Sequence, residues 1–237
     1  MFFYSYQSLV ILIPAMLFAL WAQAKVKGTF RKYSGVRNHR NMTGAEAARR
    51  VLDSNGLNDV GIRQIRGSLT DHYDPRTRVL SLSEDVYGVT SVAAISVACH
   101  EAGHAIQHAR SYVPLKLRNA IVPVVNFASS FTWILLIAGL GLLAGSSYES
   151  YYMGNLLFNI GVACFAGVVI FHLITLPVEF DASSRAISQM EELGIVDSEE
   201  KMGAKRVLSS AALTYVAALA VAVANLLRIL ALRGRRD

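Results

Sequence analysis

The sequence predicts a mostly α integral membrane protein, with a small β-sheet and about four transmembrane helices. Three observations carry that prediction. Apolar residues make up 53% of the 237-residue chain and mean hydropathy is +0.38, above ordinary globular usage. Four apolar runs, at 1–24, about 120–144, about 155–176 and 207–227, match the roughly 20 residues that cross a bilayer as a helix. Between the first two runs, short segments of alternating polarity stand where a small sheet would form.

Residues 1–24 carry no charged side chain and read as the N-terminal transmembrane helix. Phe2, Phe3, Tyr4 and Tyr6 suit an interfacial belt at one end, and Trp21 at the other. Ala22-Gln23-Ala24 mimics a signal-peptidase site, but the positive n-region of a secretory signal is missing, so a retained anchor is expected. The basic stretch Lys25 to Arg40 then marks the cytoplasmic face and touches anionic lipid; beside a span, nucleic acid is not expected as a partner.

The portion 25–118 reads as soluble. Thr43 and Glu46 form a capping box that opens a short helix ending near Ser54-Asn55-Gly56. Val60–Arg66 and Arg78–Ser83 alternate as strands, with a turn at Asp74-Pro75-Arg76 before the second. An alanine-rich helix is expected over 90–109. Residues 119–176 read as a transmembrane hairpin with a polar turn near 145–153, and 177–206 as the segment whose helix runs to about Glu192 and is capped by Gly194, with Asp197-Ser198-Glu199-Glu200 starting the last helix. Residues 207–237 form an apolar helix and a basic tail with Arg228, Arg233, Arg235 and Arg236. Cys99 and Cys164 both lie in apolar helices and read as small buried hydrophobes.

The chemistry-bearing residues collect in Cys99-His100-Glu101-Ala102-Gly103-His104. On a helix, His100 and His104 project from one face about 6 Å apart and can chelate one small cation, which zinc suits. Glu101 can reach a metal-bound water without ligating. This is the H-E-x-x-H pattern of zinc-dependent peptidases, in which the glutamate is the general base. An apolar approach, Val92 to Ala98, would bury the helix, and a buried helix presenting these groups needs a reason.

A catalytic zinc usually has three protein ligands and an open position. His108 continues the same face, but its rise of about 12 Å from His100 is too long for one metal to bridge. Glu179, in Leu176-Pro177-Val178-Glu179-Phe180-Asp181-Ala182-Ser183, is the best candidate, in the first turn of a new helix where an apolar run ends. Asp181 and His108 come next. His172, about two turns before Glu179, is an intramembrane ionisable group and a candidate to assist the site. His108, His172, Arg185 and Tyr215 are candidate donors to a developing oxyanion.

The N-terminal span, the basic stretch, HEAGH, the hairpin and LPVEFDAS together resemble the bacterial membrane-embedded neutral zinc metallopeptidases of the YugP type, distant relatives of the gluzincins. The resemblance implies a zincin-like metalloprotease domain, with His100, His104 and Glu179 as ligands of Zn2+. Many gluzincins carry an aspartate four residues after the ligand glutamate, bonded to a ligand histidine. Here that position is Ser183, while an aspartate stands at Asp181. The implied function is a membrane-anchored zinc endopeptidase acting on polypeptides, membrane proteins among them, at the surface of the bilayer. The alternative is a membrane scaffold or chaperone partner holding zinc without catalysis; it would be marked by loss of Glu101 or a ligand, and none is lost. An intramembrane protease of the site-2 type would bury its motif within a span, whereas His100 lies between basic segments.

Charge sets the expected topology. Fifteen Lys and Arg fall between Lys25 and Arg118, four between Pro177 and Arg206, and four from Arg228 onward. If all four runs span, nineteen lie on one side and four on the other, which puts the active site of this multi-pass membrane protein in the cytoplasm. The arginine tail then stands on the less favoured side, so the last helix either crosses against the rule or packs without fully crossing.

Overall fold

The computed structural model describes residues 2–145 and 147–233, with side chains described for 10–145 and 147–231. The expectations for Phe2, Phe3, Tyr4, Tyr6 and the tail arginines Arg233, Arg235 and Arg236 concern side chains outside the described set.

The elements in order are α1 (Phe2–Ser34), α2 (Gly44–Ser54), β1 (Gly61–Ile65), β2 (His72–Asp74), β3 (Val79–Ser83), α3 (Glu84–Tyr87), α4 (Val92–Ala109), α5 (Val113–Leu142), α6 (Tyr148–Glu192) and α7 (Ser198–Arg233). Helices α1, α5, α6 and α7 are long and apolar enough to cross a membrane. The chain divides into two compact units: a polar one, 21–116 with 176–214, and an apolar one, 1–20 with 117–175 and 215–237.

The polar unit is built on α2, the sheet and α4. Thr43 Oγ1 accepts the Glu46 N–H at 3.2 Å while Glu46 Oε2 accepts the Thr43 N–H at 2.8 Å, closing the expected capping box. The amphipathic α2 then buries Val51 and Leu52 among Leu80, Leu82, Ile95, Ala98, Ala102 and Met190. Ser91 caps α4 by accepting from Ala94 N–H at 3.1 Å, which fixes the helix start at Val92.

The sheet has the order β1-β3-β2. The two strands expected from sequence are present and adjacent, but they pair in parallel, Gly61 opposite Val79 through Ile65 opposite Ser83. The antiparallel partner is β2, three residues long and too short for an alternating pattern to reveal. The turn at Asp74-Pro75-Arg76 joins β2 to β3: Asp74 accepts from the Arg76 N–H at 2.9 Å and the Thr77 hydroxyl at 2.8 Å.

One expectation needs correction. Glu179 does not sit in the first turn of a new helix; α6 runs unbroken through Pro177. An interior proline costs about 3 kcal/mol because it removes a helix hydrogen bond and crowds the preceding turn. Here the turns that follow it are tightly held, with Val178, Glu179, Ala182 and Ala186 all buried. Beyond α6, Gly194 takes the left-handed φ of 59° that turns the chain towards α7.

In the apolar unit, α5 and α6 cross through small residues. A Cβ on Gly139 would lie 2.6 Å from the Phe158 nitrogen, and one on Gly154 2.7 Å from the Leu143 nitrogen. Such close backbone approach is how helices associate where lipid offers no hydrophobic drive. Leu136, Phe158, Phe165, Val169, Ala222 and Ile229 form its interior. Phe127, Ile134 and Ile137 stay exposed, as a lipid-facing surface requires.

Candidate metal centre

Three groups converge within the polar unit. His100 Nε2 lies 3.3 Å and His104 Nε2 3.6 Å from Glu179 Oε2. The two imidazoles stand edge to face, 4.8 Å between centroids and 82° between planes. A direct charge-assisted N–H···O bond would close to about 2.7–2.9 Å. Ligands held tetrahedrally at about 2.0–2.1 Å from one ion instead lie about 3.3–3.4 Å apart. The spacing fits donors arranged around a small cation better than donors bonded to each other.

Both imidazoles are held from behind. His100 Nδ1 is 3.1 Å from Ser183 Oγ, and His104 Nδ1 is 3.0 Å from Gln107 Oε1. The fully buried Gln107 amide also donates from Nε2 to the Val178 carbonyl at 2.7 Å and to Asp181 Oδ2 at 2.8 Å. Those two acceptors fix the amide orientation and turn its oxygen towards His104. The neutral form of His104 therefore carries its proton on Nδ1 and presents a lone pair on Nε2, as a metal ligand must.

The electrostatics favour a cation. Burial opposes protonation of His104, but the hydrogen bond its ring donates to the Glu179 carboxylate when protonated and the negative charges of Glu101 and Glu179 outweigh it, raising the imidazole above its ordinary value. The charges that hold a proton there would hold a metal in its place. Neighbouring Cys99 is fully buried, and desolvation pushes its thiol far up, so it offers no thiolate.

Close approach of α4 and α6 makes this convergence possible. A Cβ on Gly103 would meet the Ala182 carbonyl oxygen at 2.6 Å. Gly103 lies between the two histidines in sequence, and Ala182 one turn beyond Glu179, so the glycine sets the distance between the helices at the site.

This chain belongs to a zinc metallopeptidase family. It matches the family described as "Putative neutral zinc metallopeptidase" over residues 8–234. It is also 49% identical over 228 residues to "Putative membrane protease YugP" of Bacillus subtilis (strain 168), an alignment covering 95% of this chain and 96% of that one. No solved structure matches.

The remaining candidates fall in different places. Asp181 anchors Gln107 and accepts from Arg185 Nε at 2.6 Å; its contacts lead to His104 only through the amide. Arg185 is thereby committed to Asp181 and stacks over Tyr112 at 5.8 Å. His108 Nδ1 lies 2.9 Å from the Tyr73 hydroxyl of β2. His172 and Tyr215 belong to the apolar unit, where the His172 ring lies against Phe171.

Sequence reasoning passed over Gln107, Tyr73 and the spacing role of Gly103. Gln107 left a readable signal: a polar residue three after His104, on the motif face of an apolar helix. A second cluster, His39, Asp197 and Glu200, has a structural explanation. Asp197 accepts the Glu199 and Glu200 N–H groups, and Glu200 accepts from the His39 N–H and faces its ring, so these carboxylates cap α7 and tie it to the loop between α1 and α2.

Proposed function

We propose that the protein is a membrane-anchored zinc-dependent endopeptidase, with His100, His104 and Glu179 as metal ligands and Glu101 as general base. The observation that carries this reading is the convergence of two Nε2 atoms and one carboxylate oxygen at tetrahedral-ligand spacing, each imidazole braced at Nδ1. Family membership supports the peptidase class.

When bound, zinc supplies a water acidified to near neutrality and a Lewis acid for the scissile carbonyl. Glu101, next to His100 on α4 and only 8% exposed, takes the proton of the attacking water and delivers it to the leaving amine. His108, one turn beyond His104, has its Nδ1 engaged by Tyr73, which leaves Nε2 to donate to the developing oxyanion. On its outer side β2 is an edge strand of the sheet and carries Tyr73, so its free edge can pair with an extended polypeptide beside the site.

Substrates on this reading are polypeptides at the membrane surface, membrane proteins among them, because Glu179 closely follows an apolar run of α6. The excess of Lys and Arg in segments 25–118 and 177–206 supports a cytoplasmic active site.

The test is Glu101→Gln in detergent-purified protein. Zinc content should stay at the parental level while cleavage of an unfolded polypeptide falls by about 10²–10⁴-fold, the usual worth of a general base. Unchanged cleavage would overturn the mechanism. In parallel, Glu179→Ala should lose zinc; zinc retained would overturn Glu179 as the third ligand.

A further inference from the structure

Three helices change character at a common place in the polar unit. Lys25 is the first charge of α1 after the apolar run 1–24, and Arg206 is the last charge of α7 before the apolar run 207–227. Phe180 of α6 follows Glu179, just after the apolar run 155–176. Side chains from these three positions line one pocket of about 570 Å³. That volume is in the range of small-molecule sites.

The walls of the pocket are of two kinds. Lys25, Lys32 and Arg206 bring three positive charges to it, and the hydroxyl residues Thr29 and Ser209 also line it. Phe180, 49% exposed, and Leu213 supply apolar surface. No carboxylate lines it, and among the described residues none of the three cations forms an ion pair. They are held in place by aromatic rings and a phenol. Lys25 Nζ lies 4.6 Å over the Trp21 ring, Lys32 Nζ 5.6 Å over Tyr33, and Arg206 donates to the Tyr33 hydroxyl at 3.2 Å. Tyr33 in turn packs against Gly203, where a Cβ would come within 2.8 Å of its ring. The charged wall is therefore built on a contact between α1 and α7.

Three cations on the walls of one pocket with no carboxylate among its lining residues attract an anion. Arginine and lysine with hydroxyls suit phosphate oxygens. A free phosphate would leave the apolar wall unused; a phospholipid uses both. We propose that this pocket binds the phosphate headgroup of an anionic phospholipid, with the glycerol and upper acyl segment against Phe180 and Leu213. The inference is independent of the peptidase reading.

Delipidated protein would be titrated with short-chain phosphatidylglycerol and phosphatidylcholine, and bound lipid counted by native mass spectrometry. Lys32→Gln with Arg206→Gln should weaken phosphatidylglycerol binding by about thirtyfold, from the typical contribution of two interfacial cations. The control is Lys27→Gln with Arg31→Gln, which removes the same charge from exposed positions of α1 outside the pocket and should change binding less than twofold. Arg206→Lys keeps the charge and should retain most of the binding, which separates loss of a site from loss of fold. Equal weakening in both double variants would overturn the proposal in favour of diffuse attraction, and so would equal binding of phosphatidylcholine. Competition by millimolar inorganic phosphate as effective as that by lipid would reassign the pocket to a soluble anion.

Discussion

Gly103→Ala tests the geometry of the proposed metal centre with the addition of one methyl group. The new Cβ would start 2.6 Å from the Ala182 carbonyl oxygen and 3.3 Å from Ala182 Cα. Ordinary van der Waals contact begins near 3.4 Å, so α4 and α6 must separate by about 0.8 Å, because the obstacle is backbone and cannot rotate away. Both histidines move with α4 and Glu179 with α6. Metal sites tolerate about 0.2 Å in ligand distance, several times less than this displacement. Overpacking itself costs about 1–3 kcal/mol. The expected result is a folded protein of lowered thermal midpoint whose zinc affinity, read by competition with a chelator of known strength, falls at least tenfold. Gly88→Ala is the control: a Cβ there meets nothing within 4 Å, and zinc affinity should not change. Parental zinc affinity in Gly103→Ala would refute the claim that this contact sets the ligand spacing.

Other expectations follow from the same residues. Gln107→Met keeps the volume but removes the acceptor for His104 and the donor to Val178 and Asp181; zinc affinity should fall about 10–100-fold, as for other residues that brace a ligand, and a cobalt-substituted sample should show an altered visible spectrum. An unchanged spectrum and affinity would make Gln107 a packing residue only. Zinc affinity should weaken as pH falls, starting above the ordinary imidazole range, because His104 holds its proton more firmly than a free histidine and the metal must displace it. Calorimetry in buffers of different ionisation enthalpy should detect the released proton, and pH-independent binding between pH 6 and 8 would contradict the assignment. Thr43→Ala opens the capping box of α2 and should cost about 1 kcal/mol of stability, seen as a lower melting temperature with zinc affinity unaffected.

The long-range plan of the fold was legible because apolar length and periodicity are local properties. Four runs of bilayer length gave four helices, and Thr43 with Glu46 gave a cap that the structure contains. Pairing was less legible. Nothing in Gly61–Ile65 or Val79–Ser83 says whether they run parallel; that depends on His72–Asp74, three residues whose strand character comes from β3 rather than from their own pattern. Pro177 was misread for a related reason. Proline ordinarily marks a helix boundary, and only the burial of Val178 and Ala182 on either side of Glu179 shows why α6 continues.

The ligand candidates could be named from sequence because metal chemistry restricts residue type and helical spacing restricts position. What braces them was legible only in part: Gln107 stands three residues from His104, but the contacts that orient its amide, and the contact of Ser183 with His100, join positions 71 to 83 residues apart. Ser183 illustrates the point. Read against a pattern expecting aspartate, it is a departure, and Asp181 looks like the displaced partner. In the folded chain the serine itself faces His100 Nδ1, while Asp181 holds Gln107, whose amide faces His104 Nδ1. A neutral hydroxyl and a neutral amide thus stand behind the two imidazoles, and among the described residues Glu179 is the anion that faces both. That arrangement would lower ligand basicity relative to a carboxylate brace and leave more positive charge on an ion held there. Ser183→Asp should therefore tighten zinc binding while lowering turnover; tighter binding with faster turnover would show that the hydroxyl serves some purpose other than tuning the metal.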